Sequence, residues 1–85
     1  MTKFSKLYLQ IINSPQNVKF ETLDKLLRQH GFNRRQPKGG SSHYIYYHHE
    51  LHDVLTIPYA RPVKAIYVKK AIAVIQKLEE RSESN

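Results

Sequence analysis

Apolar residues recur in this chain at two different spacings, and the order of those spacings limits the fold more than any other feature. Phe4, Leu7, Tyr8, Ile11 and Ile12 stand at i, i+3, i+4, i+7 and i+8, which places them on one side of a helix. The pattern predicts a helix over residues 3–13 that stops at Asn13-Ser14-Pro15, since proline has no N–H with which to continue it. Phe20, Leu23, Leu26 and Leu27 form a second stripe over residues 20–30, and Gly31 stands where a left-handed C-terminal cap is wanted. From Phe32 the period changes. Phe32 to Gln36 is short and basic, Pro37-Lys38-Gly39-Gly40 is turn chemistry, and Ser42 to His48 is dense in the Tyr and Ile that favour strands. Glu50 to His52 reads as a second connection and Val54 to Ile57 as a third short strand ended by Pro58. After the loop Tyr59-Ala60-Arg61-Pro62, the residues Tyr67, Ala71, Val74, Ile75 and Leu78 return to helical spacing, up to a polar tail from Glu79 to Asn85.

The predicted order is therefore α-α-β-β-β-α. Three antiparallel strands in a meander have one face that must be covered, and the helical stripes are the apolar surfaces available to cover it. The expected fold class is a two-layer α+β domain with a three-stranded antiparallel sheet and its helices on one face. Its α-β-β-β-α part is the arrangement of double-stranded RNA-binding domains. Residues 1–85 read as one domain, with an extra helix and connection over 1–17, a core over 18–80 and a polar tail over 81–85.

Composition narrows the partners. Lys and Arg number 14 against 7 Asp and Glu, a formal charge of +7, which calls for an acidic partner. At 40% apolar residues the chain is too hydrophobic for a disordered basic tail. The absence of cysteine excludes a disulfide framework, a thiolate metal site and a cysteine nucleophile. No apolar run approaches the roughly 20 residues that span a bilayer. The start Met-Thr-Lys-Phe-Ser-Lys lacks the apolar stretch of a secretory signal, so the expected location is the cytoplasm, with no membrane partner.

The most informative stretch is Lys38-Gly39-Gly40-Ser41-Ser42-His43-Tyr44-Ile45-Tyr46-Tyr47-His48. Glycines let the backbone approach a ligand closely, serines add hydroxyl and amide donors, and a histidine then opens a strand. Histidine both accepts and gives a proton near neutral pH, which suits acid–base work on a ribose hydroxyl and a phosphodiester. The plainer reading is a turn followed by a strand that begins with His43. For His48, His49, His52 and Asp53 a solvated hairpin tip is expected rather than a metal site, because His48 and His49, as strand neighbours, point to opposite faces. Arg34, Arg35 and Lys38 on the first hairpin and Arg61 and Lys64 in the last loop are the cations placed to contact phosphate, whereas Lys69 and Lys70 read as a solvated helix face. At strand alternation Tyr44 and Tyr46 share one face and Ile45 and Tyr47 the other, so at least one set is core.

The ordered set Leu26-Leu27-x-x-x-Gly31-Phe32, then Gly40-Ser41-Ser42-His43-Tyr44-Ile45-Tyr46-Tyr47-His48, then Thr56-Ile57-Pro58 and a closing helix resembles the HicA (YcfA-like) toxins of bacterial toxin–antitoxin pairs. The resemblance runs from about Val18 to Leu78 and rests on the order of elements rather than on one motif. The chain departs from the pattern in its longer N-terminal helix and in Gly39-Gly40-Ser41-Ser42, one small residue more than a Gly-Ser-His turn. The resemblance implies an mRNA-cleaving toxin that is held in check by an acidic HicB-type antitoxin, with the turn histidine falling on His43. On that premise the RNA supplies its own nucleophile, the 2′-OH, and neither metal nor cofactor is required. Lys38, the backbone amides of Gly40, Ser41 and Ser42, and Lys64 are then the candidates to meet charge on the phosphate. The rival expectations are a non-catalytic RNA-binding module of the same fold and a chain that binds only an acidic protein.

Overall fold

The computed structural model describes residues 6–36 and 42–83, and it has the expected order of elements. Helix α1 (Lys6–Asn13) is followed by a 3-10 turn at Pro15–Asn17, helix α2 (Phe20–Gln29), strands β1 (Asn33–Arg35), β2 (His43–Tyr47) and β3 (Leu55–Pro58), and helix α3 (Ala65–Glu83). Tyr8 and Ile11 of α1 are buried, but Ile12 lies at 39% exposure, so the buried stripe is narrower than its spacing predicts. The four α2 residues of the stripe, Phe20, Leu23, Leu26 and Leu27, are all buried. That helix ends as glycine chemistry requires: Gly31 has φ +88°, the Phe32 amide donates to the Leu27 carbonyl at 3.1 Å and the Gly31 amide to Arg28 at 3.0 Å. These are the paired bonds of a Schellman cap.

The strands form one antiparallel sheet in the order β1-β2-β3. Tyr46 stands opposite Arg34 on one side and Leu55 on the other, and Tyr44 opposite Ile57. Tyr46, Leu55 and Ile57 are buried and Tyr44 is packed against the same core. The opposite parity, Asn33, Arg35, His43, Ile45, Tyr47, Thr56 and Pro58, makes the open face, with Ile45 and Pro58 half-buried there. Helix α3 contributes Val68, Ala71, Ile75 and Leu78 to the core. It runs on through Glu83 where a polar tail is expected from Glu79; Glu and Arg are good helix formers, and Glu79 finds a partner in His30, whose Nδ1 lies 3.5 Å from its carboxylate. No described helix is long and apolar enough to cross a membrane.

One carboxylate joins helix α2 to the sheet. Asp24 Oδ1 accepts from the Tyr46 hydroxyl at 2.6 Å and from Arg34 Nη1 at 3.1 Å, and its Oδ2 accepts from Arg28 Nε at 3.1 Å. Burial, reinforced by Asp24, pushes the Tyr46 phenol far above its ordinary range. Its proton is therefore committed to Asp24. Among the described residues no buried side-chain nitrogen or oxygen lacks a hydrogen-bond partner, and Asp24 is what satisfies the buried Tyr46 hydroxyl.

Asp24→Ala leaves the Tyr46 hydroxyl buried and unpaired, at a cost of about 2–3 kcal/mol, read as a melting temperature lower by about 10 °C or more. Tyr46→Phe, which leaves Asp24 its two arginines, should cost about half as much in the same thermal melts. His30 titrates below its ordinary value, because desolvation outweighs the attraction of Glu79. The unfolded chain then takes up the His30 proton first as pH falls, so stability drops as the pH passes down through about 6.5 and levels off below the folded value. In urea melts across that range, His30→Gln should flatten this part of the profile relative to the native chain.

Candidate nucleic-acid interface

Strand β2 starts at His43 because its neighbour is tied down: the Tyr59 amide donates to the Ser42 carbonyl at 2.7 Å. His43 is paired with Pro58 and its exposed side chain belongs to the open face. A surface depression of about 340 Å³ gathers it with Thr56 and Pro58 of β3 and with Tyr67 and Lys70 of α3. Tyr67 and Lys70 are one helical turn apart, and the Lys70 ammonium sits 5.7 Å from the centre of the Tyr67 ring. An imidazole, an ammonium and two hydroxyls thus share one open depression. Such a set can hold an anion and move a proton beside it.

Arg35 shares the open face with His43. It lies opposite Ile45 in the sheet, with its guanidinium 6.0 Å from the centre of the Tyr47 ring. Ser42 is exposed beside His43. Lys64 is exposed just ahead of α3, where its carbonyl accepts the amides of Tyr67 and Val68, which places it one turn before Tyr67. Lys38, Gly40 and Ser41 lie outside the described residues.

The remaining two predicted cations sit on the other side of the sheet. Arg34 pairs with Asp24 and lies 4.9 Å over the Tyr44 ring. Arg61 pairs with Glu21 and stands over Tyr59, whose hydroxyl also donates to Glu21. The Arg61 guanidinium is the main reason the Glu21 carboxyl falls below its usual range, and Glu21 in turn raises Arg61. Glu21 and Asp24 are i and i+3 on α2, so one flank of that helix carries both carboxylates. Neither arginine is gathered with His43.

His48 departs from the solvated hairpin tip expected of it. It is buried at 7% exposure, edge-on to Phe32 with ring centres 5.2 Å apart, and its Nδ1 accepts the Glu50 amide at 3.0 Å. A Cβ added at Gly31 would lie 3.0 Å from His48 Nε2. This histidine therefore fills space against the α2 cap. His49 stacks on it from the exposed side, 4.7 Å away. Among the described residues no three His, Asp or Glu side chains gather as a group that could hold a metal ion.

Among the residues that line the depression, the sequence assigns Thr56 and Tyr67 no site role and places Lys70 on a solvated helix face. Tyr67 belongs to the apolar stripe of α3 and Lys70 to its polar face, so neither stands out by spacing. The available signal was the short connection over residues 59–64, which obliges the first turns of α3 to begin beside the end of β3 where Pro58 faces His43. Neither family models nor curated proteins nor solved structures yield a match to this chain.

Proposed function

We propose that the chain is an endoribonuclease acting on mRNA, a HicA-like toxin, with His43 as the base that activates the ribose 2′-OH. The observation that carries this reading is the gathering of His43, Lys70 and Tyr67 around one open depression. In the proposed reaction neutral His43 takes the 2′ proton, the 2′-oxygen attacks phosphorus in line, and the bond to the 5′-oxygen breaks. The products are a 2′,3′-cyclic phosphate and a 5′-hydroxyl, the departing oxygen taking its proton from Tyr67 or from water. Tyr46 is unsuited to that step, since it is buried on the opposite face with its proton held by Asp24. Lys70, and Lys64 one turn before Tyr67, supply positive charge for the phosphorane oxygens. DNA has no 2′-OH and is not a substrate. No metal or cofactor has a step in this scheme.

A toxin of this kind works in the cytoplasm and requires an antidote. The charge of +7 favours an acidic HicB-type antitoxin that covers the open face and the depression. The second reading, an RNA-binding module without catalysis, is favoured by the Arg35–Tyr47 pair, which can hold RNA with no proton transfer. Salt-sensitive RNA binding without cleavage products would select it.

His43→Ala should abolish RNA cleavage and growth arrest while leaving the circular dichroism spectrum and melting temperature unchanged, because His43 is an exposed strand residue. Persistent cleavage in that variant overturns the mechanism. Lys70→Gln should lower kcat/KM for RNA by about tenfold, less than the roughly 10²–10³ seen for donors in water-excluded sites, since Lys70 is exposed. A Lys70→Gln enzyme with native kinetics would remove Lys70 from the site.

A further inference from the structure

Three tyrosines stand in β2, and their surroundings differ sharply. Tyr46 is fully buried. Tyr44 is held on the same side, 4.9 Å from the Phe20 ring and under the Arg34 guanidinium. Tyr47 has the opposite parity and is 42% exposed. Tyr46 and Tyr44 contribute to the core, whereas Tyr47 contributes little to it, and its ring stands on an open face whose sheet positions include no Asp or Glu.

The cation beside it differs from the arginines that face α2. Arg28, Arg34 and Arg61 each pair with a carboxylate. Among the described residues Arg35 pairs with none, and its contact is the Tyr47 ring. Along β2 the open-face residues run His43, Ile45, Tyr47, with Arg35 directly across from Ile45. At about 3.3 Å per residue, the imidazole and the tyrosine ring are separated by roughly 13 Å, a distance that a few extended nucleotides bridge.

We infer that the open face of the sheet is a binding platform for single-stranded RNA, on which Tyr47 stacks an unpaired base and Arg35 meets the phosphate between that base and His43. This rests on the reading that the ligand is RNA, and it adds which form of RNA and which residues receive it. A duplex keeps its base faces stacked inside the helix and offers none to a ring lying on a sheet. An aromatic ring with a guanidinium alongside and no carboxylate among its neighbours in the sheet matches the stacking-plus-phosphate chemistry by which single strands are held. Half-buried Ile45 lies between the two ends as a flat apolar step.

The test uses the full chain carrying His43→Ala, so that RNA stays intact, and measures fluorescence anisotropy of a labelled unstructured RNA 12-mer, alone or annealed to its complement. The single strand should bind more tightly than the duplex. Tyr47→Ala should weaken single-strand binding about tenfold or more, while Tyr47→Phe, which keeps the ring, stays close to native. Arg35→Gln should lower affinity and reduce the slope of log K against log salt by about 0.7, one phosphate contact in a single strand. Tyr47 is exposed, so circular dichroism should show these variants folded. If RNA binds but Tyr47→Ala is indistinguishable from native, or the duplex binds as well as the single strand, the platform is wrong and the nuclease reading stands. If binding depends on Tyr47 but the His43-containing chain yields no cleavage products, the platform stands and the nuclease reading falls. If no RNA binds at physiological salt, or an acidic protein alone occupies the face, both fall.

Discussion

The Asp24 carboxylate is the contact on which the arrangement of this molecule turns. Its bond with the Tyr46 hydroxyl couples the middle turn of α2 to the central strand, and that coupling fixes which parity of β2 faces the helices. Because strand side chains alternate, a single anchored residue determines the side taken by every other residue of the strand. Tyr44 and Tyr46 go inward, and His43, Ile45 and Tyr47 go outward. The chemistry on the open face is thus a by-product of a polar bond made on the covered one. Apolar burial alone would hold β2 less surely, since the strand carries large side chains on both sides.

Much of the fold is legible in the apolar spacing. The α2 stripe, the Gly31 cap, the Tyr-rich strand and the α3 stripe can all be read there because each depends on residues close in sequence. What depends on distant residues is not legible in this way. Arg34 and Arg35 are neighbours of identical type, and only the pairing of β1 with β2 sends one to Asp24 and the other to the open face. Arg61 meets Glu21 across forty positions of chain. His48 is covered because α2 ends against it, which no local pattern around His48 announces. Lys70 reaches the His43 depression through the packing of α3 on β3. In each case the decisive neighbour belongs to another element.

Within the net charge of +7, the carboxylates that pair with arginine are placed on one element. Asp24 and Glu21 lie along one flank of α2, where Asp24 pairs with Arg28 and Arg34 and Glu21 with Arg61. The sheet positions of the open face include no carboxylate. Cations on the open face, Arg35 among them, therefore meet a polyanion with no carboxylate at their own sheet positions to compete for it.

The connection over residues 59–64 is stitched at both ends, by the Tyr59 amide to Ser42 and by the Val63 amide to Val18, at 2.7 and 2.8 Å. Surface loops ordinarily absorb insertions and deletions with little effect. This one acts as a measured strap, because its length sets how far the first turn of α3 stands from the end of β3 and so how far Lys70 stands from His43. A chain lengthened by one residue here could keep its core and yet lose the spacing across the depression. Natural variation in length should therefore collect elsewhere on the surface, with this connection held to a constant count.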